Sequence, residues 1–107
     1  MSISLRHKEL LRGKIMFYLN LIYPQTATFP LLQAELDYFG FPLPLDELHF
    51  HVAYLTEKGF VETETARGPH TRGAMTLVKI TARGIDLLDG RVPPDEGIYV
   101  EPTERQA

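Results

Sequence analysis

Between Pro44 and Gly90 the chain reads PLDELHFHVAYLTEKGFVETETARGPHTRGAMTLVKITARGIDLLDG, and the period of its apolar residues changes twice within that stretch. Leu45, Leu48, Val52 and Leu55 recur at helical spacing, and Lys58-Gly59 closes the run with a cation in the last turn and a glycine suited to a left-handed terminator. Val61 to Thr65 then alternates apolar residues or threonine with glutamate, and Met75 to Thr81 is rich in β-branched and apolar residues, which predicts two strands of a hairpin. Their connection, Ala66 to Ala74, holds Gly68, Pro69 and Gly73. Thr81 is placed to cap a short helix that runs through Leu88 and stops at Gly90. A helix, a hairpin and a second helix packed so closely in sequence leave few folds open.

Upstream, apolar residues at Leu11, Ile15, Tyr18 and Ile22, with Leu10, Phe17 and Leu21 beside them, mark a first helix over Leu5–Tyr23 that is buried on most sides and ended by Pro24. Gly13 interrupts it at a cost of roughly 1 kcal/mol relative to alanine, which is the mark of a close contact if it has a purpose. Thr28 can cap a second helix whose first turn accepts Pro30, and Leu32, Leu36 and Phe39 line one face of it until Gly40. The link Phe41-Pro42-Leu43-Pro44 is too rich in proline to be helical, so a helix-turn-helix results. From Arg91 the chain has prolines, carboxylates and few apolar residues. The division expected is therefore one domain over residues 1–90 and an acidic tail over 91–107 that is extended or disordered unless Ile98-Tyr99-Val100 docks.

With 107 residues one hydrophobic core forms without staples. The absence of cysteine excludes disulfides, thiolate metal sites and cysteine nucleophiles, and fits a reducing cytoplasm. No apolar run approaches the ~20 residues of a membrane span, so a cytoplasmic protein without a membrane partner is expected. The net charge of −3 disfavours indiscriminate nucleic-acid binding, whose affinity comes from neutralised phosphates, but the charges are segregated. Residues 1–14 and 65–91 each sum to +3, whereas residues 28–64 sum to −6.

The run AYLTEKGFVE, a Gly-rich hairpin and LVKITARGIDLL resembles the winged-helix superfamily of transcription regulators, in which the third helix ends in Leu-x-x-x-Gly before the first wing strand and the return strand runs into Thr-x-x-Gly. The likeness covers about residues 5–90 and implies an α+β winged helix-turn-helix of order α-α-α-β-β-α. The ending DGRVPPDEGIYVEP is also similar to small uncharacterised winged-helix proteins of Mu-like bacteriophages, a likeness that brings no biochemical function. In DNA-binding members the third helix enters the major groove and the wing touches the backbone or minor groove. The resemblance thus implies DNA-contacting roles for Glu47, Phe50, His51, Tyr54 and Lys58 on the third helix and for Arg67, His70 and Arg72 in the wing.

The residues themselves qualify that picture. At 100° per residue Glu47, Phe50, Tyr54 and Lys58 fall opposite the core stripe with His51 on the flank, and no arginine, asparagine or glutamine, the usual readers of base edges, lies on that face. Two arginines and a histidine between glycines suit phosphate contacts at the wing, and Arg6, Lys8, Arg12 and Lys14 either extend a phosphate track or form the wet face of an amphipathic helix. The expected function is double-stranded DNA binding in a regulatory role, with Tyr54, His51 and Lys58 nearest the bases and a homodimer supplying the contacts that one module lacks. The alternative is an adaptor that docks another protein through the acidic and aromatic third helix.

Catalysis and metal binding find little support. His49 and His51 are two apart on a helix and point about 200° from each other, so they cannot chelate one ion. Glu62 and Glu64 share a strand face with no histidine or nucleophile placed beside them, which reads as a solvated face rather than an acid/base pair. Residues Gly68 to Gly73 lack the glycines and the lysine followed by Ser or Thr of a phosphate-binding loop. Neither an enzyme nor a cofactor is expected.

Overall fold

The computed structural model describes residues 2–68 and 73–101. In chain order the elements are α1 (Ser2–Ile22), β1 (Ala27–Thr28), α2 (Phe29–Tyr38), α3 (Leu45–Glu57), β2 (Val61–Ala66), β3 (Met75–Ile80) and α4 (Ala82–Leu88). The class is α+β: four helices against a three-stranded antiparallel sheet of order β1-β3-β2.

The helix signals act as their chemistry requires. The Thr28 hydroxyl accepts the Leu31 amide at 3.2 Å, with Pro30 in the first turn of α2. Gly59 takes φ +82°, which ends α3, and the Phe60 amide then returns to the Leu55 carbonyl at 3.0 Å. Thr81 serves two elements at once: its hydroxyl donates to the Gly59 carbonyl at 2.6 Å and accepts the Gly84 amide at 3.1 Å, so one side chain ties the end of α3 to the start of α4.

Strand β3 is central. It pairs with β2 from Val61↔Ile80 to Ala66↔Met75 and with β1 at Ala27↔Val78 and Thr28↔Leu77. Strand β1 lies outside the expected order α-α-α-β-β-α and corrects it; two residues are too few for an alternation to be read in sequence, and they form a strand because β3 offers an unpaired edge. The core gathers Leu11, Ile15, Met16 and Leu19 of α1, Leu32 and Leu36 of α2, Leu48, Val52 and Leu55 of α3, and Val78 and Ile80 of β3.

Residues 91–101 have no helix or strand, yet they do not trail away. Ile98 is buried in the core, with Val92 and Val100 packed against it, and the Tyr99 amide donates to the Glu9 carbonyl of α1 at 3.0 Å. This is the exception allowed for in the sequence, where the tail was expected to be extended or disordered unless Ile98-Tyr99-Val100 docks: those residues dock. Gly13 now has a reason, because a Cβ there would overlap the Tyr99 carbonyl. The tail crosses α1 where the helix has no side chain.

Candidate functional site

Helix α3 buries Leu48, Val52 and Leu55 as expected, and differs from expectation at Leu45 and His51. Leu45 is 41% exposed, whereas His51 is fully buried beside Leu48, Val52 and Leu55. Glu47, His51, Tyr54 and Lys58 recur every third or fourth residue, and this stripe faces α1 and the tail. The outward face is left to Asp46, His49, Phe50, Ala53 and Glu57, all exposed, with Phe50 at 59%. His49 stacks on Phe29 with ring centres 3.8 Å apart, on the side of the helix away from His51.

Two of the residues expected to touch DNA are therefore internal. His51 Nδ1 accepts a hydrogen bond from Arg12 Nε at 3.1 Å, which fixes the proton of the neutral ring on Nε2. That nitrogen lies 3.7 Å from Glu47 Oε2, too far for a hydrogen bond but close enough for attraction, and finds no hydrogen-bond partner among the described residues. Burial pushes the His51 imidazole below its ordinary range; Arg12 adds repulsion, Glu47 pulls the other way, and Lys8 weakly opposes protonation again. Arg12, expected either on a phosphate track or on the wet face of an amphipathic helix, is itself buried: its guanidinium lies 3.8 Å from the centre of the Tyr54 ring and Nη1 donates to the Gly97 carbonyl at 3.2 Å. A cation held by a ring, a histidine and a carbonyl is a packing element, and its assignment as a surface phosphate contact is corrected.

Tyr54, expected opposite the core stripe, is half-buried against it, and its hydroxyl donates to Asp95 Oδ1 at 3.2 Å. The other Asp95 oxygen pairs with Lys58 at 3.1 Å, and the Gly97 amide donates to Oδ1 at 2.8 Å. Burial opposes ionisation of Asp95, but the Gly97 amide, Lys58 and the Tyr54 hydroxyl outweigh it and hold its carboxyl below the usual range. The hydrogen bond and charge of Asp95 in turn raise Lys58, which stands in solvent. A Cβ at Gly97 would collide with the Tyr54 hydroxyl, so this corner closes only around a glycine.

Two further α1 cations meet the tail. The Arg6 guanidinium sits 4.1 Å from the centre of the Tyr99 ring and 3.4 Å from Glu9, and Lys14 pairs with Glu101 at 3.5 Å. Lys8 is half-exposed on the same helix. The structure thus sets residues 95–101 against Arg6 and Lys14 of α1 and Lys58 of α3. Asp95, Gly97, Tyr99 and Glu101 were not expected at the site; the hint in the sequence was the pair of aliphatic residues, Ile98 and Val100, set among carboxylates.

On the hairpin, Arg67 is exposed just past the end of β2, while His70 and Arg72 lie outside the described residues. Between α3 and the sheet a groove of about 350 Å³ is lined by Phe29, His49, Val52, Ala53, Thr63 and Thr76, among others. Among the described residues no helix is long and apolar enough to cross a membrane. The chain matches no protein-family model, no curated protein and no solved structure.

Proposed function

We propose that the chain is a winged helix, akin to the small proteins of Mu-like phages, that binds double-stranded DNA in a regulatory role through its phosphates more than through its bases. One observation supports the reading: Arg6 and Lys14 of α1 and Lys58 of α3, which is far away in sequence, all meet the same short segment, residues 95–101, of a molecule whose net charge is −3. Such a set of cations, with Arg67 and its neighbours His70 and Arg72 on the hairpin as the wing, suits backbone contacts. Helix α3 contributes little base readout, since its outward face holds Asp46, His49, Phe50, Ala53 and Glu57. A homodimer would double a short set of phosphate contacts and fix their spacing.

The test is fluorescence anisotropy with labelled random-sequence duplex at about 50 and 200 mM salt, the range over which phosphate contacts lose most affinity. Salt-sensitive binding supports the reading, and no binding at low salt by the wild-type protein or by a tail-released variant removes it. A second reading is favoured by Phe50, which is 59% exposed among Asp46, Glu47 and Glu57 beside the α3–sheet groove: an adaptor that accepts a basic, apolar segment of another protein. In that case Phe50→Ala abolishes partner capture without unfolding the domain, and binding to DNA is absent.

A further inference from the structure

The cations Arg6, Lys14 and Lys58 are already occupied by the chain itself. Asp95 sits on Lys58 at 3.1 Å, Glu101 on Lys14 at 3.5 Å and the Tyr99 ring under Arg6 at 4.1 Å. Between them the Gly97 carbonyl takes the Arg12 guanidinium. Carboxylates, a carbonyl oxygen and an aromatic face, presented in order along a segment that turns at Asp95–Ile98, where the Ile98 amide donates to the Asp95 carbonyl at 3.1 Å, are the chemical features of a nucleic-acid strand: spaced anions, polar acceptors and a ring.

We propose that residues 95–101 are an internal competitor for a phosphate polyanion, so that the surface beneath them is a binding site for a nucleic-acid backbone that opens when the tail lifts. The proposal rests on the DNA-binding reading and adds its regulation. Three features make the tail suited to lifting rather than to permanent closure. Each of its two ion pairs with lysine has one member well open to solvent: Lys58 is 44% exposed opposite Asp95, and Glu101 40% opposite Lys14. Apart from Ile98 it buries no whole side chain. Behind it, Leu87, Val92, Pro94, Ile98 and Val100 surround a cavity of about 260 Å³, so the loop is loosely packed against α4, as segments that open locally are. Arg12 stays in place when the tail lifts, since His51 and Tyr54 hold it from below. The contacts with phosphate then fall to Arg6, Lys14 and Lys58, each of which exchanges a tail group for a phosphate oxygen.

The experiment compares the wild-type protein with the double variant Asp95→Asn, Glu101→Gln, which removes the two tail charges paired with lysines while keeping oxygen acceptors in place. A control, Asp37→Asn with Glu62→Gln, makes the same change in net charge outside residues 95–101. The readouts are exchange of the Tyr99 amide, with Val78 as the internal reference, and anisotropy with random-sequence duplex DNA and with inorganic polyphosphate. The expected result is faster exchange at Tyr99 alone and affinity for both polyanions at least about tenfold tighter than wild type, since apparent affinity scales with the fraction of binding-competent molecules, with no such gain in the control. Unchanged Tyr99 exchange, or faster exchange with affinities equal to wild type, overturns the proposal. A gain for polyphosphate with no binding to DNA sustains the tail's role and overturns the DNA reading. Binding to neither polyanion overturns both.

Discussion

The Arg12–His51 pair sets a pH dependence that follows from its geometry. A histidine that accepts from a guanidinium must be neutral, and burial, Arg12 and Lys8 all oppose a second cation there, with only Glu47 favouring it. The unfolded chain therefore takes a proton on residue 51 at a higher pH than the native protein does. This contribution to stability is complete above the ordinary histidine value of 6.5 and is lost progressively as pH falls below it. Urea denaturation between about pH 7 and 5 is expected to show that slope on the usual linear treatment. The variant His51→Asn, whose side-chain oxygen can replace Nδ1 as the acceptor, is expected to flatten it; a slope identical to wild type would place the titration elsewhere. Asp95 acts in a separate window. Its carboxyl is held below the ordinary 3.8, so its contribution is present above that pH and lost in stronger acid.

Among the elements, the junction between α3 and α4 depends most on one group. Thr81→Ala removes both the cap of α4 and the donor to the Gly59 carbonyl, and is expected to cost about 1–2 kcal/mol in chemical denaturation. Gly13→Ala works the other way round, since alanine favours the helix by about 1 kcal/mol while its Cβ displaces the Tyr99 carbonyl. The expected outcome is a helix kept and a tail released: the Tyr99 amide exchanges at least about tenfold faster while Val78 is unaffected. Equal acceleration at both would mean that the tail and the core open together. These elements were legible to different degrees. The caps at Thr28 and Thr81, the terminators Gly40, Gly59 and Gly90 and the hairpin strands could be read because each rests on local backbone chemistry. The core residues Leu48, Val52 and Leu55 of α3 were legible too, but the inward place of His51 and Tyr54 was not, because it is set by long-range packing: Arg12 and Gly97 meet them there, and nothing within Leu45–Glu57 announces that. Strand β1 was missed for the same reason, since Ala27 and Thr28 become a strand only when β3 lies beside them.

At the scale of the molecule, charge is sorted between faces more finely than between segments. The alternation of a basic N-terminus, an acidic middle and a basic hairpin was visible in sequence, but the pairing of Lys58 with Asp95 and of Lys14 with Glu101 depends on the fold. On the DNA-binding reading, Arg67→Ala is expected to weaken binding to all sequences alike and to lower the salt slope by about 0.9, measured by anisotropy titrations across salt; an unchanged slope would remove the hairpin from the interface. The Arg12–Gly97 contact spans 85 positions, and closing so long a loop is slow relative to forming helices. Helices of the chain therefore form before the Gly97 carbonyl reaches Arg12, and until residues 95–101 settle, the Arg12 guanidinium stays wet on one side and Lys58 is without Asp95.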